Sequence, residues 1–123
     1  MIILEITVCL DGSRILKSVN ASGHAGEAVS GNNITCAAAT VLLRTAYRTL
    51  LLPDFETDTV ISAPGEGQLY FEIEKYSSNQ IDRLRGITDY LITGLKDLAA
   101  EYPEEIKLQE KSADEKPEKS RSR

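Results

Sequence analysis

The chain has 123 residues, is 41% hydrophobic and 27% charged, and carries a net charge of −5. That length supports one domain with a modest core, not two. No apolar run reaches membrane-spanning length, and the acidic balance argues against a nucleic-acid partner.

The charge is unevenly placed. Residues 107–123 hold six Lys or Arg against four Asp or Glu, while residues 1–106 hold eight against fifteen. The body is therefore acidic and suits a basic peptide or protein. Tryptophan is absent and phenylalanine occurs only at 55 and 71, so the core must be aliphatic. The first ten residues read as a strand, with no basic segment before them, so no signal peptide is expected. A cytoplasmic protein is the expectation, with Cys9 and Cys36 as reduced thiols.

Residues 2–10 alternate: Ile2, Leu4, Ile6, Val8 and Leu10 on one face, Ile3, Glu5, Thr7 and Cys9 on the other. This is the pattern of a half-buried strand. Asp11-Gly12 signals a hairpin turn, and a second strand over about 14–21 returns through Ile15, Val19 and Ala21. The stretch Ser22–Asn32 has three glycines and little bulk. It is long for a simple connection and reads as a functional loop.

Asn32 or Asn33 can cap the next helix, which spans about 34–51 and stops before Pro53. It is apolar nearly all round, with only Arg44 and Arg48 as a polar stripe, so burial on more than one side is expected. Residues 58–63 and 67–74 form a hairpin across Pro64-Gly65, with Leu69, Phe71 and Ile73 pointing one way. Ser77 or Ser78 then caps a second helix of roughly 25 residues. Its stripe is Ile81, Leu84, Thr88, Leu91, Leu95, Leu98 and Tyr102. From about 107 the composition turns to Lys, Glu, Ser, Asp and Arg, which predicts disorder. The expected fold is α+β: a two-layer α/β sandwich in ββαββα order, antiparallel hairpins against two helices. The folded domain is set at 1–106, with 107–123 as a charged tail. The apolar surface of the two helices predicts that some of it is shared with a second copy.

His24 is the only histidine. It lies in Ser22-Gly23-His24-Ala25-Gly26, and Cys36 follows in Asn33-Ile34-Thr35-Cys36-Ala37-Ala38-Ala39-Thr40. A thiol in the first turn of a helix feels the positive end of the helix dipole, which favours thiolate. An imidazole delivered by the preceding loop can take the thiol proton. The plain alternatives are a buried cysteine acting as a small hydrophobe and a solvated loop histidine. Cys9, mid-strand between Val8 and Leu10, reads as structural. A metal site through His24, Cys9 and Cys36 lacks ligands, since there is no Cys-x-x-Cys and no second histidine. The spacing of Gly23, Gly26 and Gly31 lacks both G-x-G-x-x-G and a phosphate-loop lysine. No cofactor is expected.

The pair Ser22-Gly23-His24-Ala25 and Ile34-Thr35-Cys36-Ala37-Ala38-Ala39-Thr40, with its His-to-Cys spacing, resembles the ribosomal-processing cysteine protease family, Prp. The likeness covers about residues 1–104. It implies a two-layer α/β homodimer with a His/Cys dyad. It also implies a substrate, the N-terminal extension of ribosomal large-subunit protein twenty-seven. His24 would then be the general base and Cys36 the nucleophile, in a hydrolase acting during ribosome biogenesis. The loop 23–32, with Gly23, Ala25, Gly26 and Gly31, would cover the peptide site. The N–H groups of Cys36 and Ala37 are the natural oxyanion donors, and Thr40 lies one turn on, on the same face. The family commonly has Asp three residues before the cysteine; here that residue is Asn33. The alternative reading is a non-catalytic ribosome-assembly or peptide-binding dimer of the same fold.

Overall fold

Alternation along the first strand is realised as burial. In the computed structural model, which describes residues 4–23, 34–63 and 67–112, β1 spans Leu4–Leu10 with every second side chain buried. Leu4, Ile6, Val8 and Leu10 face the core, while Glu5, Thr7 and Cys9 face the other way. β2 (Leu16–Ser22) returns antiparallel to it.

The turn between them is built by Asp11. Its carboxylate Oδ1 accepts the N–H groups of Ser13 (2.8 Å) and Ile15 (3.0 Å). The Arg14 N–H donates to the Asp11 carbonyl at 2.9 Å, and the Asp11 N–H to the Ile15 carbonyl at 2.8 Å. The left-handed residue is Arg14, with φ 62°, and not the neighbouring Gly12. Three loop residues, a turn followed by a left-handed residue, replace the two-residue Asp-Gly hairpin.

α1 (Ile34–Leu50) follows, then β3 (Thr57–Ser62), β4 (Gln68–Tyr76), a 3-10 turn (Ser78–Gln80), α2 (Ile81–Glu101) and β5 (Ile106–Ser112). The sheet order is β3-β4-β2-β1-β5. All neighbours are antiparallel except β1 and β5, which are parallel. A parallel pair needs a long crossover, and α2 provides it.

β5 corrects the reading of 107–123 as a disordered tail and the domain end at 106. Residues 107–112 lie in the sheet. Ile106, only 3% exposed, stands beside Leu4, and Leu108 beside Ile6. Two apolar residues at spacing two suffice for an edge strand, because its other face meets solvent. The next inward position is Glu110, which pairs with Arg14 (3.5 Å) and Lys96 (3.3 Å). The polar composition hid this strand; residues 113–123 lie outside the described ones.

Both helices pack on the β1 face that carries Leu4, Ile6, Val8 and Leu10. α2 buries Leu84, Thr88, Leu91 and Leu95. Thr88 belongs in that stripe because its Oγ1 is fully engaged. It accepts the N–H of Leu16 at 2.9 Å and donates to the Leu84 carbonyl at 2.8 Å. α1 buries Thr35, Ala39, Leu43, Ala46 and Leu50 along one face only. Val41 stays 63% exposed and Ile34 70%. Burial on more than one side is thus not achieved within one chain. Between the helices, a Cβ on Gly94 of α2 would lie 3.1 Å from Leu42 Cδ2 of α1.

Candidate active site

The candidate residues follow the end of β2 in the chain and continue into the start of α1. Gly23, just past β2, donates its N–H to the Gly67 carbonyl at 2.9 Å. This fixes the exit of β2 against the start of β4. Gly67 itself is left-handed, with φ 76°, a conformation that glycine adopts without steric cost. The sequence placed the β3–β4 turn at Pro64-Gly65 and missed Gly67 as this anchor. A second glycine three residues after Pro64 was the available signal.

His24, Ala25, Gly26, Gly31 and Asn33 lie outside the described residues. The chain returns at Ile34, and Cys36 is the third residue of α1. Its side chain is half-buried. Thr35 beside it is buried and ties the first turn to the core, while Ala37 and Thr40 are exposed. The first N–H groups of a helix have no partners within it. The amides of Cys36 and Ala37 therefore sit where a helix holds negative charge. The first turn contains no acidic side chain that would offset this positive end.

Helical spacing places Cys36, Thr40 and Tyr47 on one flank of α1. Tyr47 packs its ring on Phe71 of β4, with centroids 5.8 Å apart. The Cys36 flank is thus turned toward β4 and away from α2. Leu42, Thr45 and Thr49 form the opposite flank.

Cys9 occupies a different environment. It is half-buried on the sheet face that carries no helix, beside Ser18 of β2 and Lys111 of β5. The sheet separates the two thiols, so they cannot share one ion. Among the described residues no His, Cys, Asp or Glu cluster fits a metal. Among them, too, no helix is long and apolar enough to cross a membrane.

The family of the cysteine protease Prp matches residues 1–107. The chain belongs to that family. It is accordingly a cysteine protease. No curated protein matches it significantly. Among solved structures, SMU.848 from Streptococcus mutans superposes with a TM-score of 0.70 at 24% identity, covering 89% of this chain and 95% of that one. The ribosomal processing protease Prp of Staphylococcus aureus has been solved in complex with a covalently linked product peptide. It gives a TM-score of 0.69 at 21% identity over 89% of this chain and all of that one. The same protease with a substrate peptide gives 0.68 at 20% identity, with the same coverage. These likenesses establish the Prp fold, a five-stranded mixed sheet under two helices, as the fold of this chain.

Proposed function

We propose that this Prp-family protein is a cytoplasmic endopeptidase of ribosome biogenesis. In this reading it acts as a homodimer and removes the N-terminal extension of a ribosomal large-subunit precursor, protein twenty-seven. Cys36 is the nucleophile and His24 the general base. The observation that carries the reading is the place of Cys36 in the first turn of α1 in a chain of this family. The peptide complexes of the Staphylococcus aureus protease, one of them covalent, support a peptide substrate. The acidic body, net −7 over residues 1–106, supports a basic one.

The chemistry runs through a thioester. His24 takes the Cys36 proton as the sulfur attacks the scissile carbonyl carbon, forming a C–S bond. The oxyanion that results is met by the amides of Cys36 and Ala37 at the helix start. The C–N bond then breaks, and the imidazolium protonates the leaving amine. Water, deprotonated by the neutral imidazole, attacks the thioester and releases the acid and the thiol.

The test is incubation of the protein with the full-length ribosomal precursor and mass measurement of the product. Loss of one N-terminal peptide is expected, and His24→Ala should remove it. An unchanged precursor mass with wild type would sink the substrate assignment. A separate reaction with a thiol-alkylating reagent at neutral pH should label Cys36 faster than Cys9, and His24→Ala should slow that labelling.

A further inference from the structure

The two edges of the sheet are built differently. β3 and β5 are its end strands. An end strand leaves every second N–H and C=O without a ladder partner, which invites another strand unless charge or proline guards it. β5 is guarded: Lys107 and Lys111 stand exposed along it, and Glu110 pairs with Arg14 and Lys96. β3 has neither charge nor proline over Thr59–Ser62. Its single charged residue, Asp58, and its register shift, between Asp58 and Thr59, lie toward the other end. Val60 stays 43% exposed in the bare stretch.

That bare edge leads toward Cys36. Thr57, at the start of β3, donates its hydroxyl to the Leu50 carbonyl at the end of α1 (3.3 Å). Tyr47 packs on Phe71, the cross-strand neighbour of Ile61. α1 and β3 therefore run in opposite directions. From Leu50 back to Cys36 is about 21 Å along the helix, and from Thr57 to Ser62 about 17 Å along the strand. The first turn of α1 thus stands toward the Ser62 end of the edge. The exit of β2 at Gly23 meets the start of β4 at this same end.

The charge on this side of the molecule selects the occupant. Residues 49–80 hold six Asp or Glu against a single Lys. Glu56, Asp58 and Glu74 are exposed, and among the described residues none of the three is in an ion pair. Lys75, beside Asp58, is the one cation against them. A second β3 would bring carboxylates against carboxylates, whereas an extended basic chain meets both the free backbone and the charge.

We propose that β3 takes the basic peptide substrate as an added strand, paired along Thr59–Ser62 and leading the scissile bond to Cys36. The proposal rests on the peptidase reading above and adds where, and in which conformation, the substrate is held. Alternate side chains of the added strand fall beside Val60 and Ser62 on one face, and beside Thr59 and Ile61 on the other.

The test uses the full chain as Cys36→Ala, with a synthetic peptide that spans the precursor's N-terminal extension and the residues after the cut. Amide hydrogen exchange is followed by NMR. Within Thr59–Ser62, the outward-pointing amides should slow at least about tenfold on binding, while those of β5 stay unchanged. Two further peptides are N-methylated at alternate residues, in opposite frames, sparing the residues that flank the cut. One frame should bind at least about tenfold more weakly and the other close to the unmodified peptide, because only alternate amides pair with the edge. Glu56→Gln/Asp58→Asn/Glu74→Gln should weaken binding and flatten its salt dependence. Binding without protection of β3, or equal losses in the two frames, overturns the added strand. Cleavage by wild type, read by mass, reports on the chemistry alone. A cleaved precursor with β3 unprotected overturns the edge and leaves the peptidase reading standing. Protection of β3 with the precursor uncleaved supports the edge and overturns that reading. A peptide that does not bind at all overturns both.

Discussion

The two faces of the one sheet could hardly differ more. On the covered face, Ile6, Val8, Leu10, Val19, Phe71 and Ile106 are buried beneath two helices. On the open face the cross-strand rows are mostly polar, with Val60 beside Glu72 as an exception. Cys9, Ser18 and Glu72 stand side by side in one row, and Thr7, Asn20, Tyr70 and Ser62 in the next. There Tyr70 donates to Glu72 Oε1 at 2.8 Å, and its partial burial, then this contact, raise its pKa. The same strands supply both faces, since consecutive residues point to opposite sides. Cys9 belongs to the open face and Cys36 to the helix layer, so the two thiols have different fates. In the proposed reading, chemistry falls to the layer that has a helix start.

The sharpest test of that difference compares the thiols. Cys36→Ala is expected to abolish precursor cleavage while the helix stays intact, since alanine is a strong helix former. Cys9→Ala is expected to keep activity. Cleavage by the first variant, or its loss in the second, would reverse the assignment of the two layers.

β5 tests how far the covered face extends. Deleting 107–123 removes Leu108 and the ion pairs of Glu110, and should cost about 2 kcal/mol or more in a denaturant melt. Deleting only 113–123 leaves every described contact in place and should not move the midpoint. Equal behaviour of the two truncations would show that the strand adds nothing.

Within the covered face, Thr88 carries a hydrogen bond that links α2 to the start of β2. Thr88→Val keeps the shape but leaves the Leu16 N–H unpaired in the core. A loss of about 1–3 kcal/mol is expected by chemical denaturation. No change would mean that the backbone donor finds another acceptor.

The hairpin tip joins the two faces and offers a gain. Arg14 pays the steric cost of a left-handed residue, so Arg14→Gly should raise stability by up to about 1 kcal/mol. The Glu110 pair lost with it is exposed on the arginine side and contributes little. A lower melting temperature for the glycine variant would show that the ion pair outweighs the strain.

The smallest effect lies at the same tip, where the Tyr76 hydroxyl donates to Asp11 Oδ2 at 2.6 Å. That hydrogen bond, with burial behind it, raises the Tyr76 pKa above its ordinary 10.0. The folded state thus holds this proton more tightly than the unfolded state does. Its contribution is complete below pH 10.0 and is lost as pH rises through the folded value. Tyr76→Phe should flatten part of the decline in stability above pH 10.0, and an unchanged decline would assign it to other groups.

Much of this was legible in the residues themselves. The alternation of β1 and the stripe of α2 told which side chains turn inward, because periods of 2 and about 3.6 follow from backbone geometry alone. The cysteine at a helix start after a glycine-rich, histidine-bearing segment was legible for the same local reason. The failures were non-local. Residues 106–112 carry two apolar side chains, too few to announce a strand, and they order only because β1 offers a free edge. Asp11-Gly12 marked the turn, but the pairing of β1 with β2 decided that Arg14 would be its left-handed residue. Thr88 was legible as a member of the α2 stripe, but its hydrogen-bond partner was not, since folding brings the Leu16 N–H to it from 72 residues away in the chain. Local sequence determines which residues must hide and which can end or cap an element, since those preferences act over a few bonds. Only the tertiary structure decides what each hidden face meets, because that depends on which distant strand edge or backbone donor the chain brings within reach.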